Sequence, residues 1–306
     1  MQFPDGKARK GILWGIGALI GLFLIAVIVT CYKPPMPLKD SLRNIENKQS
    51  IVSQMRVNLL KSVEMEKNAV IALTDDQSQE FANQSASAST SVEQNLKQLD
   101  SLMGTAPLAD EKKLVAEFNT CWSELRKLDH VILELAVQNT NLKAASLSQG
   151  EGADALKRYE NALDAILESY SGTPNEGHVA ELLYHAGTAA LKIQTLHSTH
   201  ISEASDEKMD LIETQMKKEE TEASTSLDKL SGIIGEKNRK NLSQAKTSFS
   251  EFMTVTSNVI TLSRKNSNIK SLELSLGRKR KIAAQCDEIL VALQEVIQDR
   301  TVKATK

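Results

Sequence analysis

From Leu38 onward apolar side chains recur three and four positions apart with polar residues between them, and no stretch alternates in the manner of a strand. The punctuation is sparse: glycines cluster at 104, 150/152, 172/177, 232/235 and 277, and after Leu38 the prolines are Pro107 and Pro174. This pattern predicts six helices, over 38–103, 110–148, 152–171, 177–234, 237–276 and 278–303, in the order long, short, short, repeated. At 1.5 Å per residue the first would extend about 98 Å and the fourth about 87 Å. Each long helix could then serve two stacked bundles, with helices two and three completing one bundle and helices five and six the other.

Within helix two, Leu114, Phe118, Cys121, Leu125, Leu128, Ile132, Leu135, Asn139 and Leu142 form one stripe, and helix five repeats it with Ala245, Ser248, Phe252, Val255, Val259, Leu262, Asn266 and Ile269. The likeness extends to polar residues. QNTNLKAASLSQG at 138–150 returns as KNSNIKSLELSLG at 265–277, an offset of 127 positions, so one multi-helix unit is written twice. The expected fold is all-α: an N-terminal transmembrane helix, then two stacked four-helix bundles built from an internal repeat of two long and four shorter helices. Repeat A covers 38–172 and repeat B 177–306.

The transmembrane expectation rests on Gly11–Thr30, twenty uncharged residues rich in Ile, Leu, Val, Gly and Ala. Lys7, Arg9 and Lys10 precede it, which favours a short cytoplasmic segment at 1–10 and an extracytoplasmic 38–306 anchored in the inner membrane. A cleaved signal peptide and lipid attachment at Cys31 are the alternatives, though the apolar run is long for the first and Thr30 is unsuited to the second. Cys31, Cys121 and Cys286 have no spacing typical of a disulfide framework or zinc site, so packing alone is expected to hold the fold. A net charge of −2 with interspersed signs offers no footprint for nucleic acid.

Candidate chemistry centres on the copied amides. Asn139 and Asn266 lie on buried stripes, where an unsatisfied amide costs about 1–3 kcal/mol. They, with Asn141 and Asn268, either pair across the seam to fix register or line a small polar cavity. Folding the helices back places Asn139 near Thr74 and Asp75, and Asn266 near Ser205 and Asp206, giving two matching polar layers. His197 and His200 face inward on helix four as core histidines, hydrogen-bond donors to a ligand, or a metal pair lacking further ligands. Arg56 borders the apolar face of helix one, where a guanidinium can either grip a carboxylate or lie along the bundle. No phosphate loop, nucleophile motif or metal array emerges, so neither catalysis nor a cofactor is expected.

The apolar N-terminal segment, the repeated helix order and the two NTNLKAASLSQG-like segments together resemble the extracytoplasmic sensory domains of bacterial transmembrane chemoreceptors and sensor kinases, especially the helical bimodular type. The resemblance spans about 38–306 and implies a small ligand held between helices, or a periplasmic binding protein docked at the membrane-distal end. No arginine cluster accompanies Arg56, which turns the expectation from dicarboxylates towards a neutral or amphoteric small molecule. Such receptors return through a second span, and no second apolar stretch precedes Lys306, so the chain is read either as the sensory part of a longer receptor or as a single-pass protein. Long helices with free second faces make a homodimer the expected assembly. A membrane-anchored adaptor that holds a protein and no small ligand is the competing expectation.

Overall fold

The computed structural model of the protein describes residues 38–104 and 108–304, and every regular element among them is helical. The apolar segment at 11–30 and Cys31 lie outside the described residues. Among the described residues no helix is long and apolar enough to cross a membrane. They divide into two compact units, 38–50 with 297–304, where Ile45 and Ile297 are buried, and 51–296.

In repeat A the elements are α1 (Leu38–Ile71), α2 (Asp75–Met103), α3 (Ala109–Ala136), α4 (Thr140–Leu147), a π turn (Ser148–Gly152) and α5 (Ala153–Tyr170). Repeat B supplies α6 (Glu176–Ser202), α7 (Asp206–Ser231), a 3₁₀ turn (Glu236–Asn238), α8 (Arg239–Lys265), α9 (Ser267–Leu274), a second π turn (Ser275–Lys279) and α10 (Arg280–Ala304).

The expected long helices 38–103 and 177–234 are instead hairpins. Thr74 accepts a bond from the Gln77 amide at 3.2 Å and Ser205 from that of Lys208 at 3.4 Å, so each is an N-cap that starts a new helix. Asp75 and Asp76, and likewise Asp206 and Glu207, complement the positive ends of α2 and α7. Small residues close the first hairpin: Ser78 Oγ donates to the Ala69 carbonyl at 2.9 Å and Ser85 Oγ to that of Ser62 at 2.8 Å.

The long elements are 109–170 and 239–304. Gly150 and Gly277 do not break them, because both helices continue through the π turns. The two run antiparallel in one register, from Cys121 against Cys286, through Thr140 against Ser267, to Ser169 against Asn238. Bundle membership is therefore exchanged between the repeats. Residues of α1, α2 and α3 pack with α10 from repeat B, while α6, α7 and α8 pack with α5 from repeat A.

The second bundle is closed by Tyr159, Ile166, Ala186, Ile193, Leu230 and Phe252, and the first by Val52, Met55, Leu59, Leu99, Phe118 and Leu125, all at most 1 % exposed. Each large apolar side chain buried in this way contributes about 1.5–3 kcal/mol.

Packing is not the sole support, contrary to the sequence expectation, since Cys121 and Cys286 form a disulfide between α3 and α10 with Cα atoms 5.8 Å apart. The partners are 165 positions apart, a distance at which spacing motifs give no signal. Closing so long a loop restricts the unfolded chain, so reduction, or joint Cys121→Ser and Cys286→Ser substitution, is expected to lower stability by roughly 2–5 kcal/mol. Denaturant unfolding with and without reductant checks this, and the serine pair should be insensitive to the reductant.

Candidate functional site

At the centre of the 51–296 unit the two repeated segments meet around a pseudo-twofold axis. Asn139 (φ 48°, ψ 39°) and Asn266 (φ 57°, ψ 35°) are left-handed, the two such non-glycine residues among those described. Asparagine tolerates this conformation because its short amide bonds locally. Each ends one helix and starts the next. The carbonyls left at the break are met by copied lysines: Lys143 Nζ donates to the Gln138 carbonyl at 2.8 Å and Lys270 Nζ to that of Lys265 at 3.0 Å.

The unpaired amides of the new helices are capped by the opposite repeat. Thr140 N–H donates to Ser267 Oγ and Ser267 N–H to Thr140 Oγ1, both at 3.1 Å. Asn141 N–H donates to Asn268 Oδ1 at 3.1 Å, and Asn268 N–H to Asn141 Oδ1 at 3.2 Å. The side-chain amides follow the same exchange, Asn141 to Asn266 Oδ1 at 2.8 Å and Asn268 to Asn139 Oδ1 at 3.0 Å.

One of the expected neighbours is present, since Asn139 Nδ2 donates to Asp75 Oδ1 at 3.0 Å, whereas Asn266 Nδ2 donates to the Glu203 carbonyl at 2.8 Å and not to Ser205 or Asp206. Lys143, 2.9 Å from Asp75, and then Asn139 hold the Asp75 carboxyl below its usual range. The two expected layers are thus one layer, whose four amides are satisfied in part by one another and in part by Asp75 and the Ile201 and Glu203 carbonyls.

His197 and His200 flank this layer, fully buried. Thr256 gives its hydroxyl proton to the Phe252 carbonyl, so it accepts from His197 Nε2 at 3.1 Å, while Ser148 donates to His197 Nδ1 at 2.9 Å. The neutral ring is fully satisfied. Burial, with the His200 ring adding to it, lowers the His197 pKa to about 4.

The unfolded chain therefore binds a proton that the folded state refuses. Stability is full above about pH 6.5 and falls as the pH drops towards about 4, by about 3 kcal/mol from this residue. Unfolding curves across that range should flatten in His197→Asn. His200 bonds Ser263 Oγ at 2.7 Å and Glu213 Oε1 at 2.9 Å. Against the cost of its burial, Arg264 and His200 hold the Glu213 carboxyl below its ordinary value. Among the described residues no three His, Cys, Asp or Glu side chains gather to hold a metal.

Arg56 lies away from this cluster. Of the two alternatives for its guanidinium the structure shows a two-pronged carboxylate contact, made with Asp287 of α10 at 2.8 and 3.2 Å, and it also donates to Gln294 at 3.1 Å.

Sequence reasoning missed the first bundle's buried charges. Lys279 Nζ sits 2.7 Å from Glu66 and 2.5 Å from Asp129, and Asp129 meets Arg126 at 3.0 Å. These positions correspond by the repeat to the second bundle's imidazole site, with Glu66 in place of His197, Asp129 of Thr256 and Lys279 of Gly152. Burial pushes the Glu66 carboxyl up, more than Lys279 pulls it down. An acidic residue at a core position of α1 was the one visible signal.

Residues 13–172 match the family model described as a four-helix bundle sensory module for signal transduction. The chain belongs to this family. The matched stretch is slightly more than half of the 306 residues and ends just past α5, so it contains one copy of the repeat. In this sensory module the matched copy contributes α1, α2 and α3 to one bundle and α5 to the other. Comparison with curated proteins and with solved structures finds no match.

Proposed function

We propose that the chain is the extracytoplasmic sensing part of a membrane-anchored, chemoreceptor-like or sensor-kinase-like protein, which binds a small molecule between bundle helices and passes on a helix displacement. The observation that carries this reading is the match of 13–172 to a sensory module. The Cys121–Cys286 bridge suits an oxidising compartment and so supports a location outside the cytosol. Residues 38–50 and 297–304 belong to one compact unit, so the first and last described helices share an end, as transmission towards a membrane requires. A ligand acts here only through a difference in affinity between two helix arrangements. The elements able to carry that difference are 109–170 and 239–304, which join the two bundles.

Asn139, Asn141, Asn266, Asn268, His197 and His200 serve in this reading as the junction through which the bundles are coupled, and Arg56 ties α1 to α10. A second reading, a membrane-anchored scaffold for a protein partner, is favoured by the junction amides, whose hydrogen bonds are all met within the chain. Differential scanning fluorimetry of the full chain in detergent, against amino acids, organic acids, amines and divalent metals, separates the two. A ligand at a hundred times its dissociation constant adds about 2.7 kcal/mol, well within detection. A silent panel would shift the reading to the scaffold.

A further inference from the structure

The two repeats carry the same surface groove, and it has diverged between them. In the first bundle the α2–α3 groove has a volume of about 600 Å³, with Leu96 and Trp122 as its apolar lining, Lys97, Arg126 and Lys127 as its cations and Glu93 and Asp100 as its carboxylates. In the second bundle the α7–α8 groove holds about 270 Å³. Its Leu227 and Asp228 stand 131 positions after Leu96 and Lys97, and its Lys246, Phe249 and Met253 stand 127 after Asn119, Trp122 and Arg126.

Glu93 and Asp100 give the larger groove two carboxylates where the second copy has Ser224 and Ser231, but Glu93 is taken up by Arg126, and three other differences favour an anion in the first copy. Trp122 is 4 % exposed, and its indole N–H has no hydrogen-bond partner, a state that costs about 1–3 kcal/mol. Phe249 fills the equivalent place with no polar atom, so the fold itself does not require an indole there. Lys97 and Lys127 line the larger groove with no ion-pair partner among the described residues, whereas Asp228 replaces Lys97 and Thr254 replaces Lys127 in the second copy. There Lys246 Nζ donates to Asp228 at 2.7 Å, an ion pair that spans the groove and closes it. Arg126 of the first copy is already held by Glu93 at 3.2 Å and by Asp129, which leaves the two lysines as its free cations.

We propose that the α2–α3 groove of the first bundle is the binding site of this sensory module, that its ligand is a small organic anion with an apolar body, and that the second copy has lost the site. The inference rests on the sensory reading above and specifies its ligand class and its bundle. The ligand's apolar body lies on Leu96 and the indole ring, its anionic oxygen accepts the Trp122 N–H, and Lys97 and Lys127 meet its charge at the mouth. An acceptor reaches the indole by parting the long side chains that line the groove, and binding gives the buried donor the partner it lacks. The cations sit on α2 and α3, not beside Arg56 on α1.

The test is isothermal titration calorimetry of the full chain in detergent with benzoate, phenylacetate and hexanoate as probes. At least one should bind saturably, with affinity reduced tenfold or more in Trp122→Phe and severalfold in Lys127→Thr, the residues of the second copy. Trp122→Phe should fold, because Phe249 already occupies that position in the other bundle; Lys127→Thr, on the surface, provides the independent arm. Binding that is unchanged in both variants would overturn the groove while leaving the sensory reading in place. Failure of every probe to bind the parent chain would also overturn the groove, and the wider fluorimetry panel then decides the sensory reading separately.

Discussion

Lys279→Met is expected to destabilise the protein by about 3–5 kcal/mol, because it leaves Glu66 and Asp129, both almost wholly buried, without their shared cation. Burial already raises the Glu66 pKa in the intact cluster, and losing Lys279 removes the principal opposing attraction. The folded variant would then hold a proton that the unfolded chain has released. Its stability should therefore be greatest below the ordinary glutamate range, and should fall as the pH rises through the higher folded value. Urea unfolding at several pH values reads both effects. The triple replacement Glu66→Gln, Asp129→Asn, Lys279→Met should recover most of the loss, since no charge is then left buried alone. Failure of that recovery would mean that Lys279 acts through its packing, not its charge.

The second large effect belongs to the junction. Asn139→Leu is expected to cost about 2–4 kcal/mol: it forces a branched side chain into the left-handed region, at about 1–2 kcal/mol, and leaves the Asn268 amide without its acceptor. Asn139→Gly keeps the backbone free and loses the hydrogen bonds alone, so the difference between the two variants isolates the conformational part. Asn266→Leu should behave alike, because it strips the acceptor from Asn141. A double-mutant cycle between Asn139→Ala and Asn268→Ala should give a coupling of about 0.5–3 kcal/mol, measured by equilibrium unfolding. A coupling near zero would show that the reciprocal bonds are not what hold the bundles together.

The buried-charge cluster and the imidazole site that replaces it illustrate what a repeat makes visible. One backbone framework carries Glu66, Asp129 and Lys279 in one copy and His197 and Thr256 in the other, so the polar content of a bundle core is free to vary while the junction is kept. The surface groove varies in the same way, with Trp122 and Lys127 in one copy and Phe249 and Thr254 in the other. Function in a duplicated sensory module is most readily sought where the copies differ, and architecture where they agree.

Much of the fold was written in local pattern. The spacing of apolar residues made every element helical, and the offset of 127 positions established the duplication before any contact was known. The hairpin turns were also legible: Thr74 and Ser205, each followed by two acidic residues, form a helix-start signature, but an unbroken apolar stripe on either side masked it. A stripe shows which face of a helix is buried and not against which partner. The exchange of α5 and α10 between repeats, and the choice of 109–170 and 239–304 as the long elements, were therefore decided by packing.

The copied polar residues divide in the same way. That Asn139, Asn141 and Lys143 mattered was evident from their return as Asn266, Asn268 and Lys270. Why they mattered was not, because each capped amide finds its acceptor 127 positions away, across an axis that exists once both repeats have folded together. The Cys121–Cys286 bridge, the Lys279 ion pairs and the unpartnered Trp122 N–H are likewise relations between distant residues. Sequence determined the helices, the duplication and the identity of the groups that would need partners; tertiary structure alone decided which partner each received, because hydrogen bonds and ion pairs depend on distances of about 3 Å that no local periodicity encodes.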